Sequence, residues 1–280
     1  MKKYVDLHIH SLCSDGSYTP AQIVRRAKSY ELSAIAITDH DTVACVAEGE
    51  KLAHEAGIEF IRGIEISTSS CNGRMHILGY FVDIKSKKLG ELIKRMQLAR
   101  VERIKKICAK LTELGKPVDP ELVLSMAKDV DSIGRPHVAL AMIKLGHVSS
   151  VHEAFERYLG IGKPAYVPRW APTPREAIDT IHQAHGLAVI AHCGVTQGCM
   201  ESIDEIINEG IDGIEAFYPF HNEITTKKLI EIARKHDLAI TGGSDCHGTV
   251  RGEPLLGVFK VPYWVYEDLV KRHQLAKAKT

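Results

Sequence analysis

Residues 3–16 read KYVDLHIHSLCSDG, and the way this stretch is read decides the fold. Residues 3–9 alternate polar and apolar side chains, the pattern of a strand. His8 and His10 stand two apart on it, so both project from one face at its C-terminal end. The polar turn SDGSYTP follows, and its Thr19-Pro20 pair suits an N-cap and first helical position for a helix to about residue 31. AIAIT, residues 34–38, is a short continuous apolar run of the kind found in buried parallel strands. A helix to about residue 56 and strands over 58–66 and 75–82 come next. Beyond residue 170 the alternation resumes, with helices over 174–185, 199–209, 223–236 and 264–275 and strands over 187–191, 213–217 and 238–242. Strands separated by helices imply βαβ units and a parallel sheet or barrel.

The middle of the chain breaks this rhythm. Residues 86–165 hold no convincing strand. Leu89, Leu92, Met96, Val101, Ile104, Ile107 and Leu111 recur at helical spacing on one long amphipathic helix, and shorter helices are expected near 119–128, 136–145 and 150–158. The expected organisation is therefore a body of residues 1–85 and 171–280 with a helical insertion over 86–170.

Composition removes several function classes. The chain has 280 residues, 45% hydrophobic and 25% charged, with a net charge of +1, so no global field points to nucleic acid or a membrane. No stretch reaches the ~18–20 apolar residues of a membrane span. Asp6, His8 and His10 fall where a signal peptide needs its apolar run, so a cytoplasmic protein is expected. Seven scattered cysteines without a CxxC pair read as reduced thiols rather than a disulfide framework. Fifteen histidines are the unusual number, and histidine is the commonest metal ligand.

Their placement carries the chemistry. The second strand ends in TDHD, offering His40 between Asp39 and Asp41. Asp15 lies in the loop after the first strand, Glu65 at the end of the third and His76 at the start of the fourth. LAVIA runs into His192, and LAIT runs through Gly242-Gly243 into SDCH, offering Asp245 and His247. Strand ends at the C-terminal rim of parallel α/β folds are where active sites assemble. These nine residues provide mixed nitrogen and oxygen ligands for two to three divalent ions, with Mn²⁺, Zn²⁺ or Fe²⁺ suited to the set.

DLHIHSLCSDG, TDHD, GIEIS, HILGY, AHC and GSDCHG together resemble the PHP (polymerase and histidinol phosphatase) superfamily. The resemblance covers the α/β body from both ends of the chain. It implies a distorted seven-stranded β/α barrel with a trinuclear metal site. His8, His10, Glu65 and Asp245 would hold one ion. Glu65 would bridge to a second ion bound by His76 and His192, and Asp15, His40 and His247 would hold the third. Cys193 stands where many relatives have proline, and Cys246 lies between two ligands. Either is expected as a small neighbour of the ligands, and Asp39 and Asp41 as groups orienting His40.

Metals without a redox motif serve to activate water and neutralise an anionic transition state. The expected nucleophile is a metal-bridging hydroxide. The rest of the substrate's charge needs cations. Residues 87–110 contain nine Lys/Arg against two Glu, and Arg100 and Arg103 lie within one helical turn. SIGRPH (132–137) places Arg135 where a helix starts, and GIGKPAYVPR (160–169) supplies Lys163, Tyr166 and Arg169. His137 is a candidate for protonating the leaving group. This insertion resembles that of stand-alone PHP phosphoesterases acting on nucleoside 3′,5′-bisphosphates or RNA 5′ ends, which makes a small nucleotide, or short RNA, the expected substrate. A histidinol-phosphate phosphatase, a C–N hydrolase and a non-catalytic metal-binding module are the rivals. The oligomeric state is left open by the sequence.

Overall fold

The computed structural model describes residues 3–73, 75–126, 133–250 and 252–278. Eight strands form one sheet: β1 (Tyr4–Ile9), β2 (Leu32–Ile37), β3 (Glu59–Ser67), β4 (His76–Tyr80), β5 (Leu187–Ile190), β6 (Gly213–Phe217), β7 (Ala239–Gly242) and β8 (Val261–Pro262). Their spatial order is β7-β6-β5-β4-β3-β2-β1-β8. Residues just past β7 turn this sheet into a nearly closed barrel. Ile9 bridges Cys246 in parallel, the Asp245 N–H donates to the His8 carbonyl at 2.9 Å, and the His10 N–H donates to the Cys246 carbonyl at 3.0 Å. Gly243 permits this closure, because a Cβ there would collide with the His8 backbone.

One strand departs from the expected parallel arrangement. β4 runs antiparallel to both β3 and β5. Its sequence, HILGY, is a buried apolar run, and such a run carries no direction. The reversal has a local purpose. Ser67 at the end of β3 pairs with His76 at the start of β4, so His76 reaches the same rim as Glu65. β8 is two residues long and pairs antiparallel with β1, too short to leave a readable pattern.

Local chemistry sets the helices. Thr19 accepts the Gln22 N–H and the Gln22 side chain accepts the Thr19 N–H, a reciprocal cap ahead of Pro20–Ser29. Ile23, Val24 and Ala27 of that helix pack with Ile9, Ile35 and Ile37 of β1 and β2. Each fully buried branched side chain of this kind contributes about 1.5–3 kcal/mol. A second cluster draws Leu7, Ala36, Ile61, Leu78 and Val189 from five strands and joins them to Val265 and Leu269 of the helix Trp264–Lys277.

The chain divides into two compact units, one running to Leu92 and resuming at Ala171, the other Ile93–Trp170. The second unit takes most of the helix Lys87–Glu113, then Pro120–Met126, Arg135–Lys144, Val151–Ala154 and a π-helical turn Phe155–Leu159. Ile104, Ile107, Leu111, Val123, Val138, Met142 and Leu159 form its own core. Ser132, which opens the SIGRPH motif, lies outside the described residues.

The reading of the cysteines as reduced thiols holds for Cys71, Cys108 and Cys246 and is corrected for the other four. Cys13 is disulfide-bonded to Cys45, and Cys193 to Cys199. Cys13 follows β1 and Cys45 sits just ahead of the helix Val46–Ala56, so neighbouring strands bring together two loops whose cysteines are 32 residues apart. Linear spacing shows no such proximity. No helix among the described residues is long and apolar enough to cross a membrane.

Candidate metal centre

Glu65 is the hub of the barrel rim. It is fully buried, and its two oxygens serve five histidines. Oε1 lies 2.9 Å from both His76 Nδ1 and His192 Nε2. Oε2 lies 3.1 Å from His10 Nε2, 3.1 Å from His40 Nδ1 and 3.3 Å from His8 Nε2. Asp245 Oδ1 is 3.1 Å from His10 Nε2 and 3.5 Å from His8 Nε2. Asp15 Oδ1 is 3.2 Å from His247 Nε2 and 3.6 Å from His10 Nδ1. All nine rim residues picked out in the sequence are thus brought together. Eight of them form three overlapping groups in which every donor atom lies within 4.8 Å of the others: His8/His10/Glu65/Asp245, His10/Asp15/His40/His247, and His40/Glu65/His76; His192 joins through Glu65 Oε1.

The donors are aimed inward by bonds on their outer sides. His8 Nδ1 is 2.9 Å from Glu215 Oε1, which leaves Nε2 facing the cluster. His192 Nδ1 meets Thr196 Oγ1 at 3.1 Å and His247 Nδ1 meets the Asp245 carbonyl at 2.8 Å, again leaving Nε2 inward. Such outer partners fix the tautomer that a metal needs. His192 and Asp245 have left-handed backbones, φ 33° and 51°, a conformation that is costly for residues with a Cβ and that tends to occur at functional sites. The Glu215 carboxylate holds the first by accepting the His192 N–H at 2.7 Å. The bond from Asp245 to His8 that closes the barrel holds the second.

The fit to cations follows from groups left unsatisfied. Among the described residues, His10 Nδ1, His40 Nδ1 and His247 Nε2 are buried and make no hydrogen bond. His8 Nε2 and His10 Nε2 face each other at 3.2 Å, so a proton, or a cation in its place, is shared between two ring nitrogens. Protonation equilibria say the same. Burial pushes the Glu65 and Asp245 carboxyls up, yet neighbouring histidines hold both well below the carboxylate range. Burial lowers His10, but hydrogen bonds to Asp245 and Glu65 outweigh it and raise its pKa to about 10. At His40 burial wins, bringing the pKa down to about 3, so this ring is a neutral donor at pH 7. Buried carboxylates that stay ionised and favour positive charge on neighbouring rings suit divalent ions, which would displace those protons and bind through nitrogen and oxygen.

Asp39 and Asp41 organise loops. Asp39 accepts the Ser11 N–H at 2.7 Å and the Ser14 hydroxyl at 2.6 Å, while Asp41 accepts the Ser67 N–H at 2.9 Å. Cys193 is in its disulfide, and Cys246 Sγ accepts the Gly248 N–H. Three residues escaped the sequence reading. Glu215 sits inside GIEAF and Asp6 inside YVDLHI. A fully buried carboxylate in an apolar strand demands partners, and that is the signal they offered. Asp6 accepts the Ser244 N–H at 2.8 Å, with burial raising its pKa to about 7. Tyr218, whose hydroxyl donates to Asp245 Oδ2 at 2.9 Å, left no signal.

The insertion gathers cations around Tyr166. The guanidiniums of Arg103 and Arg135 lie 5.9 and 5.4 Å from that ring. Arg103 donates to the Val167 carbonyl at 2.8 Å and Arg135 to the Leu159 carbonyl at 2.8 Å. Burial, then the positive charges of Arg135, Arg169 and Arg100, lowers the Arg103 pKa to about 10. Arg100 is buried and reaches the Ile133 carbonyl, and Lys163 is exposed on its loop. His137 Nδ1 accepts the Gly134 N–H at 3.2 Å in the cap of Arg135–Lys144, and burial lowers its pKa.

Comparison with known proteins agrees with this geometry. The PHP domain model matches residues 6–235. A 5′-3′ exoribonuclease of Haemophilus influenzae is 36% identical over 252 residues, which is 88% of this chain and 91% of that protein. A 3′,5′-nucleoside bisphosphate phosphatase of Chromobacterium violaceum is 31% identical over 252 residues, 89% of this chain and 88% of the relative. The crystal structure of a protein from Bifidobacterium adolescentis described as a metal-dependent phosphoesterase superposes with a TM-score of 0.83 at 29% identity, over 96% of each chain. With the motifs, the barrel and its histidine–carboxylate rim all in place, the chain belongs to the PHP domain family.

Proposed function

We propose that this phosphoric ester hydrolase removes phosphate from nucleotides, namely nucleoside 3′,5′-bisphosphates or the 5′ ends of short RNA. The observation that carries this reading is the Glu65-centred cluster, which offers nine nitrogen and oxygen ligands on one rim. The set has the size for two to three ions of Mn²⁺, Zn²⁺ or Fe²⁺. His8, His10, Glu65 and Asp245 would hold one, Glu65 with His76 and His192 a second, and Asp15, His40 and His247 a third. Bound there, divalent ions supply Lewis acidity to the phosphoryl oxygens and acidify water at neutral pH.

The protein's own groups do the rest. Glu65 links the ion positions through its two oxygens. Glu215, Thr196 and the Asp245 carbonyl hold their histidines in the tautomer that keeps a lone pair inward. Tyr218 donates to Asp245 and fixes that carboxylate's orientation. Arg100, Arg103, Arg135 and Arg169, with Lys163 and Tyr166, would bind the phosphate that does not react. Planar guanidiniums suit that task because they present paired donors to an anion. His137 would protonate the leaving oxygen. The relatives that act on bisphosphates and on RNA support this choice of substrate.

The test is phosphate release from adenosine 3′,5′-bisphosphate by chelator-treated protein before and after Mn²⁺ or Zn²⁺, with AMP and histidinol phosphate alongside. Metal-dependent release that favours the bisphosphate is expected. Release from histidinol phosphate alone would discard the nucleotide reading.

A further inference from the structure

Exposed apolar side chains occur on the segments that follow β5 and β6, the strands that lead to His192 and Tyr218. The Gly194 N–H donates to His221 Nε2 at 3.1 Å, and Gly194 lies so close to Thr225 that a Cβ would strike its methyl group. Val195, Phe220 and Ile224 each stand one residue from this junction. All three are exposed, Phe220 at 68% and Ile224 at 78%. Phe220 is the most exposed aromatic side chain among the described residues. Isolated apolar side chains on a surface need no explanation, but an exposed phenylalanine two ring contacts away from a cluster of buried polar donors does.

Ring contacts join Phe220 to the cluster. Tyr218 stands 5.6 Å from the His192 ring and 5.7 Å, edge-on, from the Phe220 ring, and its hydroxyl holds Asp245. Two ring-to-ring steps therefore lead from a proposed metal ligand to an exposed aromatic face. The loop is rigid around it. His221 is buried and its Nδ1 lies 3.0 Å from the Ala216 carbonyl, while Asn222 caps the helix Glu223–Lys235 by accepting the Thr225 N–H at 2.8 Å. A preorganised aromatic surface loses little freedom when a flat ligand covers it.

We propose that Phe220 is the stacking platform for the substrate's nucleobase, with Val195 and Ile224 as apolar borders of the same subsite. The inference rests on the nucleotide reading above and names how a nucleotide would be preferred over a base-free phosphate ester. Stacking accepts every base, because each has a π-face, so this subsite would distinguish nucleotides from sugar phosphates without selecting one sequence.

Calorimetric binding to the metal-loaded full-length protein tests it, using the phosphonate analogue of AMP and, as the base-free probe, methylphosphonate. Phe220→Ala weakens the AMP analogue about tenfold, the loss expected for one base–aromatic stack, and leaves methylphosphonate unchanged. Phe220→Trp restores or tightens analogue binding, and circular dichroism confirms that both variants are folded. Equal affinity of wild type and Phe220→Ala for the analogue overturns the proposal, as does a wild type that binds the analogue no better than methylphosphonate. The reaction itself is read separately. Phe220-dependent binding without phosphate release from any nucleotide upholds the platform and removes the proposed hydrolysis.

Discussion

Glu215→Gln removes one charge and a single acceptor from beneath the cluster, and its consequence can be worked from geometry. The carboxylate is fully buried and holds two donors, His8 Nδ1 at 2.9 Å and the His192 backbone N–H at 2.7 Å. A glutamine has one acceptor oxygen and one donor group to place against both. With its oxygen toward His8, its NH₂ faces the His192 N–H, and a buried donor left unmatched costs about 1–3 kcal/mol. With its oxygen toward His192, its NH₂ forces His8 to accept at Nδ1. The proton then moves to Nε2, which points at Glu65, His10 and Asp245, where a ligand lone pair is needed. The second arrangement penalises the ion proposed for His8, and the first loosens the backbone that carries His192, itself a proposed ligand. Loss of such an outer partner weakens metal affinity about 10- to 100-fold, which is roughly 1.4–2.8 kcal/mol. Competition against a chromophoric chelator for Zn²⁺ or Mn²⁺ measures this directly, with circular dichroism reporting the fold. A folded Glu215→Gln protein with wild-type metal affinity would refute the role assigned to Glu215.

Two further outcomes are expected. Arg103→Ala and Arg135→Ala should each raise KM for a nucleoside bisphosphate about tenfold, the range for a hydrogen bond to a charged group, with a smaller effect on a monophosphate; equal effects on both would show that neither arginine reads the second phosphate. His182 lies 2.7 Å from Asp212, and this hydrogen bond, with burial opposing it, raises the folded-state pKa above 6.5. The stabilisation is present in full below the unfolded value and is lost as pH rises through the folded one. Urea midpoints of wild type and His182→Gln should therefore converge as pH rises above the unfolded value of about 6.5, and a gap that does not narrow would contradict the ion pair.

What the sequence disclosed and what it withheld divide along physical lines. His8, His10, His40, His192, Asp245 and His247 were legible because strand-end placement is a linear pattern, and a barrel converts strand ends into one rim. Thr19-Pro20 announced its helix because capping is local chemistry. The direction of β4 was hidden, since HILGY would bury its residues equally well either way. The Cys13–Cys45 disulfide depends on which loops become neighbours, which spacing does not encode, while Cys193 and Cys199 meet within one loop. Glu215 was visible only as an oddity inside GIEAF, and its partners lie far away in sequence. His137, a candidate for protonating the leaving group, also accepts the Gly134 N–H at the start of its helix, a contact that the motif does not announce.

The reversed strand bears on how such a protein can diversify. Tyr80 and Leu187 are direct cross-strand partners, so residues 81–186 are, topologically, the connection of a hairpin. The closure entropy of a connection grows only with the logarithm of its length, and doubling it costs about 0.6 kcal/mol more. Lengthening, trimming or exchanging the part of it that forms the second unit, Ile93–Trp170, therefore adds little closure cost to the strand register and the histidines that depend on it. An ancestral barrel could vary its ligand preferences by trading one connection for another while its metal chemistry stayed still.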